Sequence, residues 1–131
     1  MKNLFFSLFI LCSAKNIIAQ QHKLPLPVFL QLIDSSNKIE INDATAFKHV
    51  DLPKKYFNTF ISFIKDTVAT PQPKLTTKVY YAFTLNNGNI INGDVYWDDK
   101  HSYILFKIDK HVYVNTFTRE GIMQLEKMFK R

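Results

Sequence analysis

Glycine is scarce in this chain: there are three in 131 residues, Gly88, Gly93 and Gly121. A glycine-rich phosphate cradle needs several close together, so that class of nucleotide site is excluded. Cysteine is scarcer still, with Cys12 alone. That removes disulfide staples, Cys-x-x-Cys redox pairs and cysteine-rich zinc sites. The chain holds no Gly-x-Ser-x-Gly elbow and no His-Glu-x-x-His helix, so the common hydrolase and metalloprotease signatures are missing. No apolar run reaches the ~20 residues needed to cross a bilayer, and no transmembrane segment is expected.

What is present begins with an export signal. Lys2 supplies a positive start, Leu4 to Leu11 (LFFSLFIL) an apolar stretch, and Ala19 a small residue at a cleavage point. The reading is a cleavable signal peptide over residues 1–19, with the mature chain exported to the periplasm or beyond. Cys12 leaves with the signal, so a single α+β domain over residues 20–131 must be held by its core alone. Charge is uneven. Residues 20–99 balance eight Lys with eight acidic residues, whereas residues 100–131 hold seven Lys/Arg against Asp109, Glu120 and Glu126. Such a surplus can steer an anionic partner or form a solvated face.

Along the chain, Pro25-Leu26-Pro27 reads as an extended lead-in, and Val28 to Ile33 as a short element of either kind. Ile39-Glu40-Ile41 reads as a brief edge strand. Asp51 to Val68 is the clearest helical pattern, with Phe57, Phe60, Ile61, Ile64 and Val68 at helical spacing, Asp51 as cap and Pro53 in the first turn. Thr70-Pro71-Gln72-Pro73 spaces it from the strands that follow.

Lys78 to Trp97 (KVYYAFTLNNGNIINGDVYW) is a hairpin whose register can be chosen. A two-residue Asn87-Gly88 turn would mix Val79, Tyr81 and Phe83 with Asn92, Asp94 and Tyr96. A three-residue loop, Asn86-Asn87-Gly88 with Gly88 left-handed, gathers Val79, Tyr81, Phe83, Leu85, Ile91, Gly93, Val95 and Trp97 on one face. Burial selects the second, because a one-residue slip turns every side chain over; Tyr81 then lies over Gly93. Ser102 to Ile108 returns with Trp97 opposite Ser102, and Val112-Tyr113-Val114 follows with its valines inward if Asp109-Lys110-His111 forms a three-residue loop. Thr118 caps a last helix with Ile122, Leu125 and Phe129 inward, and Lys127, Lys130 and Arg131 suit its C-terminal dipole.

The expected architecture is therefore α+β: a four-stranded antiparallel meander packed on one face by an amphipathic helix (about 52–68) and a C-terminal helix (about 118–129). Its helix-then-meander order is similar to cystatin-like folds, a likeness of layout that brings no functional residue with it.

Candidate chemistry is thin. His101 lies beside Asp98 and Asp99, and His111 beside Asp109. The strand between them, at ~3.3 Å per residue, holds these turns roughly 23 Å apart, so they make no joint site. His49-Val50-Asp51 is read as a lead into the helix. No catalytic residue, metal site or cofactor is assigned. The feature that stands out is the second sheet face, where the expected register gathers Lys78, Tyr80, Asp94, Tyr96, Tyr103, Lys107 and Tyr113, four of the six tyrosines. Tyrosine combines apolar area with a hydroxyl and loses little entropy on binding.

The reading that follows is a non-catalytic protein-binding domain of inhibitor or immunity type, docking through that face. A ligand- or polyanion-binding module for glycans or another anionic partner is the alternative, and a small hydrolase using a turn His/Asp is third. Nucleic acid is not expected, since the strands lack the glycine-bearing RNP pattern.

Overall fold

The computed structural model describes residues 22–130, so the expected signal peptide, Cys12 and Arg131 lie outside the described residues. The first element is α1, Leu26–Asp34, which settles the ambiguous Val28–Ile33 stretch as helix. Pro25 is extended at its N-cap and Pro27 sits in the first turn, where a missing N–H costs nothing. The expected extended lead-in is thus the start of a helix. Next come β1, Ser36–Asp43, and β2, His49–Asp51. A 3₁₀ turn at Lys54–Tyr56 leads into α2, Phe57–Ser62, and β3, Ile64–Val68. The meander follows as β4, Val79–Leu85, β5, Ile90–Trp97, β6, Ser102–Ile108, and β7, His111–Phe117, and α3, Arg119–Phe129, closes the chain.

The fold is α+β with an antiparallel sheet, but the sheet has seven strands rather than four, in the order β2-β1-β4-β5-β6-β7-β3. The expected meander forms its middle. β1 is an interior strand between β2 and β4, not a brief edge piece, because Ile39 and Ile41 are fully buried opposite Phe83 and Tyr81. Two strands before the middle helix, and one after it, depart from the cystatin-like layout.

The long helix expected over 52–68 is corrected. Helix persists from Phe57 to Ser62, and Asp51 lies in β2 opposite Glu40 rather than capping it. Beyond Phe63 the chain meets the free edge of β7. There Ile64 pairs with Phe117 and Val68 with Asn115, so ladder hydrogen bonds and the β-branched Ile64, Thr67 and Val68 favour strand over the helical spacing.

The hairpin register is the expected one. Tyr81 pairs with Gly93 and Val79 with Val95, Gly88 has φ +89°, and Leu85 N–H donates to Asn89 O across the three-residue loop. The space above Gly93, however, is taken by Ile104 and Phe106. A Cβ there would lie 2.7 Å from each. β6 also pairs as expected, with Trp97 opposite Ser102 and Tyr96 opposite Tyr103.

The last register is one residue off the expectation. Ile108 pairs with His111 and Lys107 with Val112, not Tyr113. The loop is two residues, Asp109 and Lys110, both at positive φ (50° and 68°). Tyr113, Asn115 and Phe117 therefore face the helices, and Val112 and Val114 face away.

The core lies between the sheet and the three helices. Leu32, Phe60, Ile61, Ile122, Leu125 and Phe129 come down on Ile41, Val79, Tyr81, Phe83, Val95, Ile104 and Phe106. The expected C-terminal helix is present, and Thr118 caps it, its Oγ1 accepting from Gly121 N–H at 3.0 Å. Gly121 lets α3 settle close, since a Cβ there would sit 2.7 Å from Phe63 Cβ. Asn115, fully buried, joins three segments: its Oδ1 accepts from Leu24 N–H at 2.8 Å, and its Nδ2 donates to Lys65 O at 2.9 Å. No helix among the described residues is long and apolar enough to cross a membrane.

Candidate functional site

The helices occupy one face of the sheet. The other face is crossed by the connection 69–78, which carries the chain from β3 at one edge back to β4 near the other. This strap, expected to be a simple spacer, is tied down along its length. Ala69 N–H donates to Val114 O, Gln72 N–H to the Tyr103 hydroxyl at 2.9 Å, and Lys78 N–H to Val95 O.

The strap divides the seven proposed binding residues. Tyr103 is 2% exposed, and Tyr96 stacks on it with ring centroids 5.0 Å apart. Burial pushes the Tyr103 phenol up from its ordinary value. Lys78 lies over the Trp97 ring at 4.9 Å and donates to Trp97 O, so its charge is engaged. Tyr113 is on the helix side, half-buried beside His111. These placements take Tyr103 and Tyr113 out of any exposed patch. The remaining three stay together: Tyr80 pairs with Asp94, and Lys107 acts on Asp94 across the sheet. Asp94 is half-buried, and desolvation raises its carboxyl above the usual range while Lys107 pulls it down.

The uncovered patch runs from Tyr80 (38% exposed) through Ala82, Asn92 and Leu105 to Lys107, with Ile90 and Val112 exposed at its margins. Its edge holds a feature the sequence did not announce. Phe47, in the turn between β1 and β2, is 94% exposed with φ +54°, an outlying backbone state for a bulky residue. Asp43 shapes that turn, its Oδ1 accepting from Thr45 N–H and Oγ1 at 2.9 Å. Asn42, Asp43, Ala44, Phe47, Lys48 and Tyr80 line an open recess of about 230 Å³. No composition signal marks Phe47. Its role follows from a turn that aims it outward.

Asp98 and His101 prove to be a turn lock. Asp98 Oδ1 accepts from Lys100 N–H at 2.8 Å, from His101 N–H, and from His101 Nδ1 at 3.0 Å. The His101 hydrogen bond, helped by the Lys100 N–H, holds the Asp98 carboxyl down at about 2. His111 sits at the other end of β6, paired with Ile108. A further cluster lies on the patch side of β1 and β2: Glu40, His49 and Asp51 bring ligand atoms within 4.8 Å of one another. The sequence does not announce it, because Asp51 reads there as a helix cap and no local pattern signals the β1–β2 pairing. No protein-family model matches this chain, and no curated protein or solved structure matches it either.

Proposed function

We propose that this is an exported, non-catalytic protein-binding domain whose partner lies against the uncovered part of the second sheet face. One observation carries the reading. Three helices bury one side of a seven-stranded sheet, while the strap 69–78 covers just one end of the other. That leaves Tyr80, Ala82, Leu105, Ile90 and Val112 as an aromatic and aliphatic patch among Asn92, Asp94 and Lys107, with Phe47 projecting at its rim. Contiguous apolar surface rimmed by polar groups is the usual mark of a partner site. Export rests on Lys2 and the Leu4–Leu11 run.

A protein partner fits better than a polyanion. The patch mixes Lys107 and Lys38 with Asp94, Glu40 and Asp51. The C-terminal basic surplus is scattered, with Lys100 and Lys110 at opposite ends of β6 and Lys127 on α3. Among the described residues no continuous positive stripe supports a charge-dominated ligand.

A photo-crosslinker placed at Asn92 should trap a partner in native extract, while the same group at Met123, exposed on α3, should not. Tyr80→Ala with Phe47→Ala should weaken capture about tenfold or more, and Tyr103→Phe should leave it intact. Equal trapping from Asn92 and Met123, or full capture by the double variant, would refute the reading.

A further inference from the structure

Glu40 and Asn42 on β1 and His49 and Asp51 on β2 form a cross-strand square. Glu40 pairs with Asp51, and Asn42 with His49. Residues two apart on a strand share a face, so all four side chains rise on the side away from the helices. His49 Nε2 lies 2.9 Å from Asp51 Oδ1, while Nδ1 lies 3.1 Å from Asn42 Oδ1 and 3.9 Å from Glu40 Oε2.

Two features of the square call for positive charge inside it. Carboxylates directly opposite each other on neighbouring strands repel. A neutral imidazole also carries a single N–H, yet both ring nitrogens face oxygen. Turning the Asn42 amide would satisfy the ring but leave the carboxylates opposed. Lys38 partly answers them, with Nζ 2.6 Å from Glu40 Oε1. It reaches that carboxylate from along its own strand and also feels the Asp51 charge, so it partly offsets both carboxylates.

We propose that Glu40, His49 and Asp51 bind a transition-metal dication of the zinc type, with Asn42 orienting the ring through its other nitrogen. One imidazole with two carboxylates is a borderline donor set that suits Zn²⁺, Cu²⁺ or Ni²⁺ better than Mg²⁺ or Ca²⁺. Three protein ligands leave a position for water, as in open zinc sites. Asp51 is exposed at the end of β2. Lys38 is a built-in competitor, offsetting the Glu40 charge through Oε1 while Oε2 faces His49. The site stands independently of the docking patch, although Asn42 also pairs with Tyr80 and places the ion beside it.

The test is Zn²⁺ alone titrated into the purified chain, followed by calorimetry and amide NMR. A single ion should bind, with shifts confined to residues 38–51 and their β4 partners 80–82. His49→Gln should weaken it about tenfold or more, Asp51→Asn should weaken it too, and His101→Gln should leave it unchanged. Lys38→Gln should tighten binding, an outcome that a purely structural ion-pair cluster does not produce. All these side chains are at least partly exposed, so the variants should fold, and retained amide dispersion elsewhere checks that they do. Shifts spread over His22, His101 and His111, undiminished affinity in His49→Gln, no tightening in Lys38→Gln, or equal binding of Mg²⁺ would each overturn the proposal.

Discussion

The two faces of the sheet come from the same strands, residue by residue in alternation, yet they are built on different terms. The helix side is packed by Phe, Ile and Leu from three helices and tolerates little change of shape. The opposite side relies on a ten-residue strap whose hold is a few hydrogen bonds and the stacked Tyr96–Tyr103 pair. The difference shows what stabilises this protein without disulfides. Burial against the helices supplies most of the stability, and the other face is covered only in part.

Substitutions that strike one face and spare the other test this contrast most directly. Phe106→Ala, on the helix side, should cost about 3–5 kcal/mol in denaturant unfolding, whereas Leu105→Ala next to it should stay within about 1 kcal/mol. Equal losses would mean that the second face is a hidden core. Asn115→Ala should cost about 2 kcal/mol, because Leu24 N–H and Lys65 C=O lose a buried partner. Hydrogen exchange should show Leu24 opening before the meander.

Tyr103→Phe should cost about 1 kcal/mol and expose the strap near Gln72 to limited proteolysis while leaving α3 protected. Tyr81 runs the other way. Its hydroxyl is buried with no hydrogen-bond partner, and burial pushes its phenol far above the ordinary value. Tyr81→Phe should therefore stabilise the fold by up to about 1 kcal/mol, seen as a higher unfolding midpoint.

The smallest effect lies in a turn. Asp98 has a folded pKa of about 2 against an ordinary 3.8. Its contribution is thus fully present above about pH 4 and is lost as pH falls through 2. Asp98→Ala should flatten the pH dependence of the melting temperature between pH 4 and 2. An unaltered slope would mean that the turn lock carries no stability.

The middle of the fold was legible in the sequence for a definite reason. From Val79 to Trp97 two registers compete, and one of them puts Val79, Tyr81, Phe83, Leu85, Ile91, Val95 and Trp97 on a single face. The β6–β7 register was not legible. Asp109 and Lys110 take positive φ without glycine, so the two-residue turn left no mark. Asn115 is also a buried polar residue at an inward position, which an apolar alternation rule assigns outward. The candidate site was half legible. The sequence puts Tyr80, Asp94 and Lys107 on one face, as the structure does, but the strap, which reads as a spacer, covers Tyr103, and the register shift turns Tyr113 to the helix side.

What the sequence determined by itself is local and periodic: the meander hairpin, its three-residue loop, the Thr118-capped helix and the α+β class. Each follows from turn chemistry, capping or alternation within a few residues. What the tertiary structure decided is everything that depends on an unpaired edge or an unshared face. Ile64–Val68 became a strand because β7 offered backbone hydrogen bonds. Residues 69–78 became a cover because β3 lies beyond the last strand of the meander and β4 is its first. Glu40, His49 and Asp51 became neighbours because β1 and β2 pair. Such contacts join residues distant in the chain, and no local pattern encodes them.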